Sequence, residues 1–173
     1  MRPRVASSID RYFGEQRPMT TPTSSQSPSP LPPTILFVCI VAMIGLHFAL
    51  PVARVVSSPW RALGAIPLAA GSALNIWSEG LFRKAATAVK PFDPSSALVE
   101  TGPFQLSRNP MYLGMVLLLV GLAVCLGSLS PWGVVPVFCL FISRRFIAAE
   151  EQKLRATFGQ EYERYASRVR RWL

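Results

Sequence analysis

At 173 residues the chain has room for one domain, and 50% of it is apolar while only 16% is charged, against about a quarter charged in a soluble domain. That balance argues against a water-soluble globule. It favours a membrane protein, since several runs reach the roughly 20 apolar residues that carry a helix across about 30 Å of hydrocarbon.

Residues 1–33 include MTTPTSSQSPSPLPP, a Ser/Thr/Pro tract that cannot bury enough apolar area to offset its ordering entropy. A disordered cytoplasmic tail is expected there. It has no short apolar core with a small-residue cleavage site, so no secretory signal is read. Four spans follow, over 34–53 (TILFVCIVAMIGLHFALPVA), 60–82 (WRALGAIPLAAGSALNIWSEGLF), 111–129 and 132–149. Only a short break separates the last two, which predicts a tight antiparallel hairpin. No barrel-like alternation is present, so each span must satisfy its own backbone as a helix. The fold class is therefore all-α, an integral membrane bundle of about four transmembrane helices filling 34–173.

The loop between the second and third spans holds KPFDPSS and TGP and reads as turns. After the fourth span, EEQKLRATFGQEYERYASRVRRWL predicts a cytoplasmic amphipathic helix over 150–172, with Leu154, Phe158, Tyr162 and Tyr165 recurring at three- and four-residue steps. Gly159 is expected to break it in two. Such a basic helix lies in the interface or caps the bundle.

The formal net charge of +9 is explained by topology. With four spans both termini share a side, and all of the 18 Lys and Arg except Arg54 and Arg61 fall on it. The positive-inside rule makes that side the cytoplasm, with anionic lipid headgroups in reach and no nucleic acid implied. The chain's size points to a bacterial inner membrane. Cys39, Cys125 and Cys139 sit within apolar runs without metal-ligand spacing, and read as packing residues.

Arg108-Asn109-Pro110 stands at the threshold of the third span. Proline suits the first turn of a helix, so Asn109 is read as the cap, and one interpretation stops there, with Arg108 snorkelling to the headgroups. The other starts from the neighbours. A helix start offers free N–H groups and partial positive charge, Gly114 permits close approach, and Tyr112 offers a ring face to a cationic centre. The hairpin returns the end of the fourth span to the same level, so Glu150-Glu151 is expected to face Arg108. Those carboxylates either accept from a ligand or pair along a continuing helix with Arg144, Arg145, Lys153 or Arg155. Arg144 and Arg145 read as topology anchors or as a substrate contact. His47, the sole histidine, reads as a helix-to-helix hydrogen bond, and Asn75 with Glu79 as interhelical glue or a cavity lining. No Gly-rich phosphate loop, metal cluster or Ser/His/Asp set is present. Chemistry would then have to come from an organic cofactor at the cytoplasmic mouth of the bundle.

The stretch LVETGPFQLSRNPMYLG, followed by EEQKLRATFGQEYERYASRVRRW, resembles the isoprenylcysteine carboxyl methyltransferase family of integral membrane enzymes, which is related to the phospholipid N-methyltransferases. The likeness covers about Leu98 to Trp172. In that family the first motif is usually Arg-His-Pro-x-Tyr-x-Gly, matched by Arg108 to Gly114 with Asn109 in place of histidine. Asparagine donates a hydrogen bond as histidine does but takes no proton near neutrality. The second motif is matched by Glu150, Glu151 and Leu154, then Phe158, Gly159 and Tyr162.

The resemblance implies S-adenosylmethionine as cofactor, contacted by Ser96, Ala97, Leu98, Val99, Phe104, Asn109, Pro110, Met111, Tyr112 and Glu150. Arg108 and Arg145 are read as the catalytic residues, the first anchoring a carboxylate and the second positioning the acceptor, although in the family's pattern the arginine before the acid pair falls at the spacing of Phe146. The acceptor would be a lipophilic small molecule, a lipid or a lipidated substrate offering a carboxylate, thiolate or amine. A phospholipid N-methyltransferase is the near alternative. An NADPH-dependent membrane reductase and a non-enzymatic membrane scaffold are the alternatives of other classes.

Overall fold

The structure, a computed structural model, describes residues 31–84 and 98–173. The expectations for 1–30 and for Ser96 and Ala97 lie outside the described residues. Helix α1 is Pro32–Ala49, so Pro32 and Pro33 belong to a helix and not to the tail, since proline costs nothing where the first N–H groups are unpaired anyway. Among its 18 residues only Pro32 and Met43 are buried, and Phe37 and Phe48 are exposed. Outward-facing apolar side chains along a whole helix suit hydrocarbon and not water.

Helix α2 is Ala65–Lys84. The expected span began at Trp60, but Trp60–Gly64 is a 3-10 turn leading into the helix. Helix α3 is Pro110–Leu126 and stops short of the expected residue 129 because Gly127 takes the left-handed conformation (φ 76°), a common helix terminator.

From Ser130 to Phe158 the chain is one continuous helical rod of 29 residues, made of a 3-10 turn at Ser130–Gly133, α4 at Val134–Ile142, a π turn at Ser143–Ile147 and α5 at Ala148–Phe158. The π turn shows in the Ala148 N–H, which donates to the carbonyl of Ser143, five residues back. The separate helix expected from residue 150 is thus a correction. The fourth span continues through Glu150, because nothing between Val134 and Thr157 breaks a helix except Pro136 in its first turn. The expected break is at Gly159 (φ 49°), after which α6 covers Gln160–Arg168 and Val169 is extended.

The described residues form an all-helical bundle. Two of its helices, Pro32–Ala49 and Ser130–Phe158, are long and apolar enough to cross a membrane. Helix α3 is apolar but has 17 residues, and α2 has 20 but carries Asn75, Ser78 and Glu79.

Helices α2 and α3 are held together by glycines at matching heights. A Cβ on Gly71 would lie 2.6 Å from the Gly114 carbonyl oxygen, and one on Gly121 would lie 2.8 Å from that of Gly64. Backbones approach this closely only where side chains are absent. Asn75 donates to the Gly71 carbonyl (2.9 Å) and rests on Gly114, so it packs between helices, while Glu79 is exposed. The apolar core joins Met43 of α1, Tyr112, Met115, Leu119 and Ala123 of α3, and Phe138, Ile142, Phe146 and Ile147 of the long rod.

At the end away from residue 108, the α3-to-rod turn is laced to the chain after α1. Leu129 N–H donates to Ala53, and Val55 and Val56 N–H donate to Gly127. His47 lies in the last turn of α1, and its Nδ1 shares a hydrogen bond of 2.7 Å with Ser128 Oγ. The expected bond exists, made to the turn between helices.

Gly71→Val should lower the stability of the detergent-solubilised protein by about 1–3 kcal/mol through overpacking. Gly45→Ala, which meets nothing within 4 Å, should be neutral or raise it by up to about 1 kcal/mol. Thermal unfolding of the two variants checks the contrast.

Candidate functional site

Pro110 is the first residue of α3 and Asn109 holds the cap position, but the Asn109 side chain makes no capping bond. That expectation is corrected. Asn109 Nδ2 donates instead to the carbonyl of Arg171 (3.0 Å), while Ser107 Oγ accepts from the Asn109 N–H (3.2 Å) and donates to the same Arg171 carbonyl (3.2 Å). The N–H of Arg108 donates to the carbonyl of Arg170. The segment after α6 is therefore hydrogen-bonded to residues 107–109 through one backbone and two side-chain donors.

Upstream, Gly102 (φ 61°) turns the chain against Trp77 and Leu81 of α2. This seats Phe104 edge-on against Phe82, ring centres 5.1 Å apart, with its carbonyl accepting from Tyr165 Oη (2.7 Å).

The acid pair meets this loop from the rod. Tyr112 Oη donates to Glu150 Oε1 (2.6 Å). Glu151 is 4% exposed and accepts from two guanidinium groups. Arg171 binds it through Nε at 3.0 Å and through a terminal nitrogen on the second oxygen, and a terminal nitrogen of Arg108 lies 3.3 Å away. The other terminal nitrogen of Arg108 points at Tyr162 Oη (3.5 Å). Arg108 Nε is buried with no partner among the described residues, a state that costs about 1–3 kcal/mol.

The surroundings keep the Tyr162 and Tyr165 hydroxyls and the Arg171 guanidinium protonated. The hydrogen bond to Glu151 raises Arg171 above the usual arginine range. Burial raises the Tyr165 phenol and also that of Tyr162, where Glu151 adds to the rise and Arg108 opposes it. The Arg108 and Arg171 guanidinium groups balance the carboxylates of Glu150 and Glu151, so what favours an anionic group here is the start of α3 together with the unpartnered Nε–H of Arg108.

Of the residues read from sequence, Tyr112 and Glu150 pair with each other, and Arg108 and Asn109 join a second set of bonds around the adjacent Glu151 and Arg171. Pro110 is buried and Met111 half-buried beside them, Phe104 is buried under the loop, and Leu98 and Val99 are half-buried at its start. Arg145 is exposed on the π turn beside Arg144, and Phe146, at the family arginine's spacing, is packed in the core. Pairing of Glu151 along its own helix is replaced by its bonds to Arg108 and Arg171. The residues that sequence reasoning missed are Ser107, Arg171, Tyr162 and Tyr165 as network members, and Glu151 as its centre. Glu151 carried a signal, being half of the acid pair, whereas Arg171 was one basic residue among many and carried none.

Glu151→Ala should destabilise the protein by about 3 kcal/mol, because it strands the largely buried Arg108 guanidinium while the exposed Arg171 returns to water. Glu163→Ala should cost under about 1 kcal/mol, since the Arg155–Glu163 pair is exposed. Thermal unfolding in detergent measures both.

A family model described as phospholipid methyltransferase matches residues 60–161, more than half of the chain. A protein of Haemophilus influenzae, described only as an uncharacterized protein, is 44% identical over 63 residues, which make up 36% of this chain and 100% of that one. Two rice proteins, from Oryza sativa subspecies indica and japonica, bear the name "Probable protein-S-isoprenylcysteine O-methyltransferase". Each is 38% identical over 79 residues, 45% of this chain and 41% of the rice protein, so the chain spans under half the length of those plant relatives. No solved structure matches the chain. The family match runs from the turn before α2 to the start of α6 and takes in Arg108, Tyr112, Glu150 and Glu151 as well as the glycine-packed helices, and on that extent the chain belongs to the phospholipid methyltransferase family.

Proposed function

We propose that the protein is an S-adenosylmethionine-dependent methyltransferase of the membrane that acts on a lipophilic acceptor, in the manner of isoprenylcysteine carboxyl methyltransferases. The observation that carries this reading is the meeting of the α3 start with the acid pair, through Tyr112–Glu150 at 2.6 Å and Arg108–Glu151 at 3.3 Å. The donor set suits the cofactor. The orphaned Arg108 Nε awaits an anionic oxygen such as the cofactor's carboxylate, and Glu150 keeps an oxygen beyond the one used by Tyr112 for a hydroxyl or ammonium group. Leu98, Val99, Phe104, Asn109, Pro110, Met111 and Tyr112 would form the walls.

S-adenosylmethionine, when bound, supplies an electrophilic methyl group on a sulfonium whose departure leaves a neutral thioether. The chain's own residues then need chiefly to align and to exclude water. Arg108 orients by its guanidinium, Tyr112 and Glu150 hold each other in place, and the loop around Phe104 covers the site from the α2 side.

The acceptor is a carboxylate, thiolate or amine on an apolar tail, reached sideways from the bilayer, with Arg145 the candidate to position it. The names of the rice relatives favour a carboxylate and the family description a phospholipid amine. Both put the reacting group on a lipid-like molecule. Under this proposal the chain crosses a bacterial inner membrane four times with both ends in the cytoplasm, so the site opens to the soluble cofactor.

Detergent-purified protein should bind S-adenosylmethionine saturably, and folded Tyr112→Ala and Glu150→Ala variants should bind it about tenfold more weakly or worse, the equivalent of about 1.4 kcal/mol. Calorimetric titration with S-adenosylmethionine and, separately, NADPH reads this out. Binding of NADPH alone would turn the reading to a reductase, and binding of neither would end both.

A further inference from the structure

The segment after α6 does more than cap the bundle. Its backbone carbonyls at Arg170 and Arg171 take three donors from Ser107, Arg108 and Asn109, the Arg171 guanidinium grips Glu151 with two nitrogens, and Trp172 packs against the core that holds Tyr112 and Phe146. Glu151 in turn takes one terminal nitrogen of Arg108, and Tyr162 faces the other. Both terminal nitrogens of Arg108 are thus committed to the protein, and Nε alone is buried without a partner among the described residues. A guanidinium is rigid and planar, so fixing its two ends fixes the direction of its third donor.

We propose that Glu151 and Arg171 are positioning residues that hold the Arg108 guanidinium so that its Nε–H donates to the carboxylate of the methyl donor. Arg171 reaches this carboxylate only through Glu151 and Arg108. The Asn109 amide belongs to the same device, since its bond to the Arg171 carbonyl holds the segment against the loop, which gives asparagine a use at the position where histidine is usual. The inference rests on the methyl-donor reading above.

The test compares the affinity of the full-length protein in detergent for S-adenosylmethionine and for decarboxylated S-adenosylmethionine, which lacks only the carboxylate. The wild type should prefer the first by about tenfold or more, and Arg108→Ala should abolish the preference. Arg171→Ala should shrink it to about threefold or less by weakening only the carboxylate-bearing ligand. Arg171→Lys should fall between, because an ammonium cannot reproduce the fork. Adding Arg171→Ala to Arg108→Ala should change the preference no further, as expected of residues acting through one another.

If the Arg171 or Glu151 variants weaken both ligands equally and keep the preference, the segment is merely structural and the inference is overturned while the methyl-donor reading stands. If the wild type binds neither ligand, both fail together. Should Arg171→Ala not fold, Arg171→Lys and Glu151→Gln carry the same comparison.

Discussion

A buried carboxylate cannot stay charged in a helical bundle without partners, and Glu151, 4% exposed, recruits two from opposite directions in the sequence. Arg108 comes from the loop before α3 and Arg171 from the segment after α6. Three separately formed pieces of chain are thereby locked at one point. The same point holds the acid-pair neighbour Glu150, bonded to Tyr112, so the electrostatic requirement of one side chain also assembles the surface on which chemistry is proposed.

The π turn at Ser143–Ile147 makes this possible. One extra residue in a helical turn rotates everything beyond it by about 100° relative to an uninterrupted α-helix. Phe146 and Ile147 go into the core while Arg144 and Arg145 stay outside, and Glu151 comes round to the loop. The rod can deliver that carboxylate reproducibly because its far end is tied down. The turn from α3 is bonded to residues 53–56 and to His47, and α3 is set against α2 by the glycines at 64, 71, 114 and 121. One end of the hairpin is thus a rigid anchor, and the other carries the ionic network.

Much of the layout was legible because hydrophobic run length and turn residues act locally. The positions of the helices, the hairpin between α3 and the rod, Pro110 as the first residue of α3, and the break at Gly159 all follow from short-range chemistry. The facing of Arg108 and the acid pair followed from the hairpin alone. Two boundaries differ from the expectation for local reasons too, since Gly127 ends α3 early and Trp60–Gly64 forms a 3-10 turn. The expected helix over 150–172 failed for a different reason. The break at Gly159 is the expected one, but the helix after it stops at Arg168, Val169 is extended, and the carbonyls of Arg170 and Arg171 accept from donors in the loop at 107–109.

By itself the sequence determined an all-helical chain with apolar runs suited to hydrocarbon, and the nearness of the α3 start to Glu150-Glu151. Those follow from run lengths and one short connection, which need no knowledge of distant partners. The tertiary structure alone decided which carboxylate is buried, that Arg171 and not a helical neighbour pairs with it, and that Asn109 serves the backbone of residue 171 instead of capping its own helix. Each of these joins residues 20 to 62 positions apart, and no periodicity can register a π turn or choose among eight basic side chains whose only distinction is where the folded chain puts them.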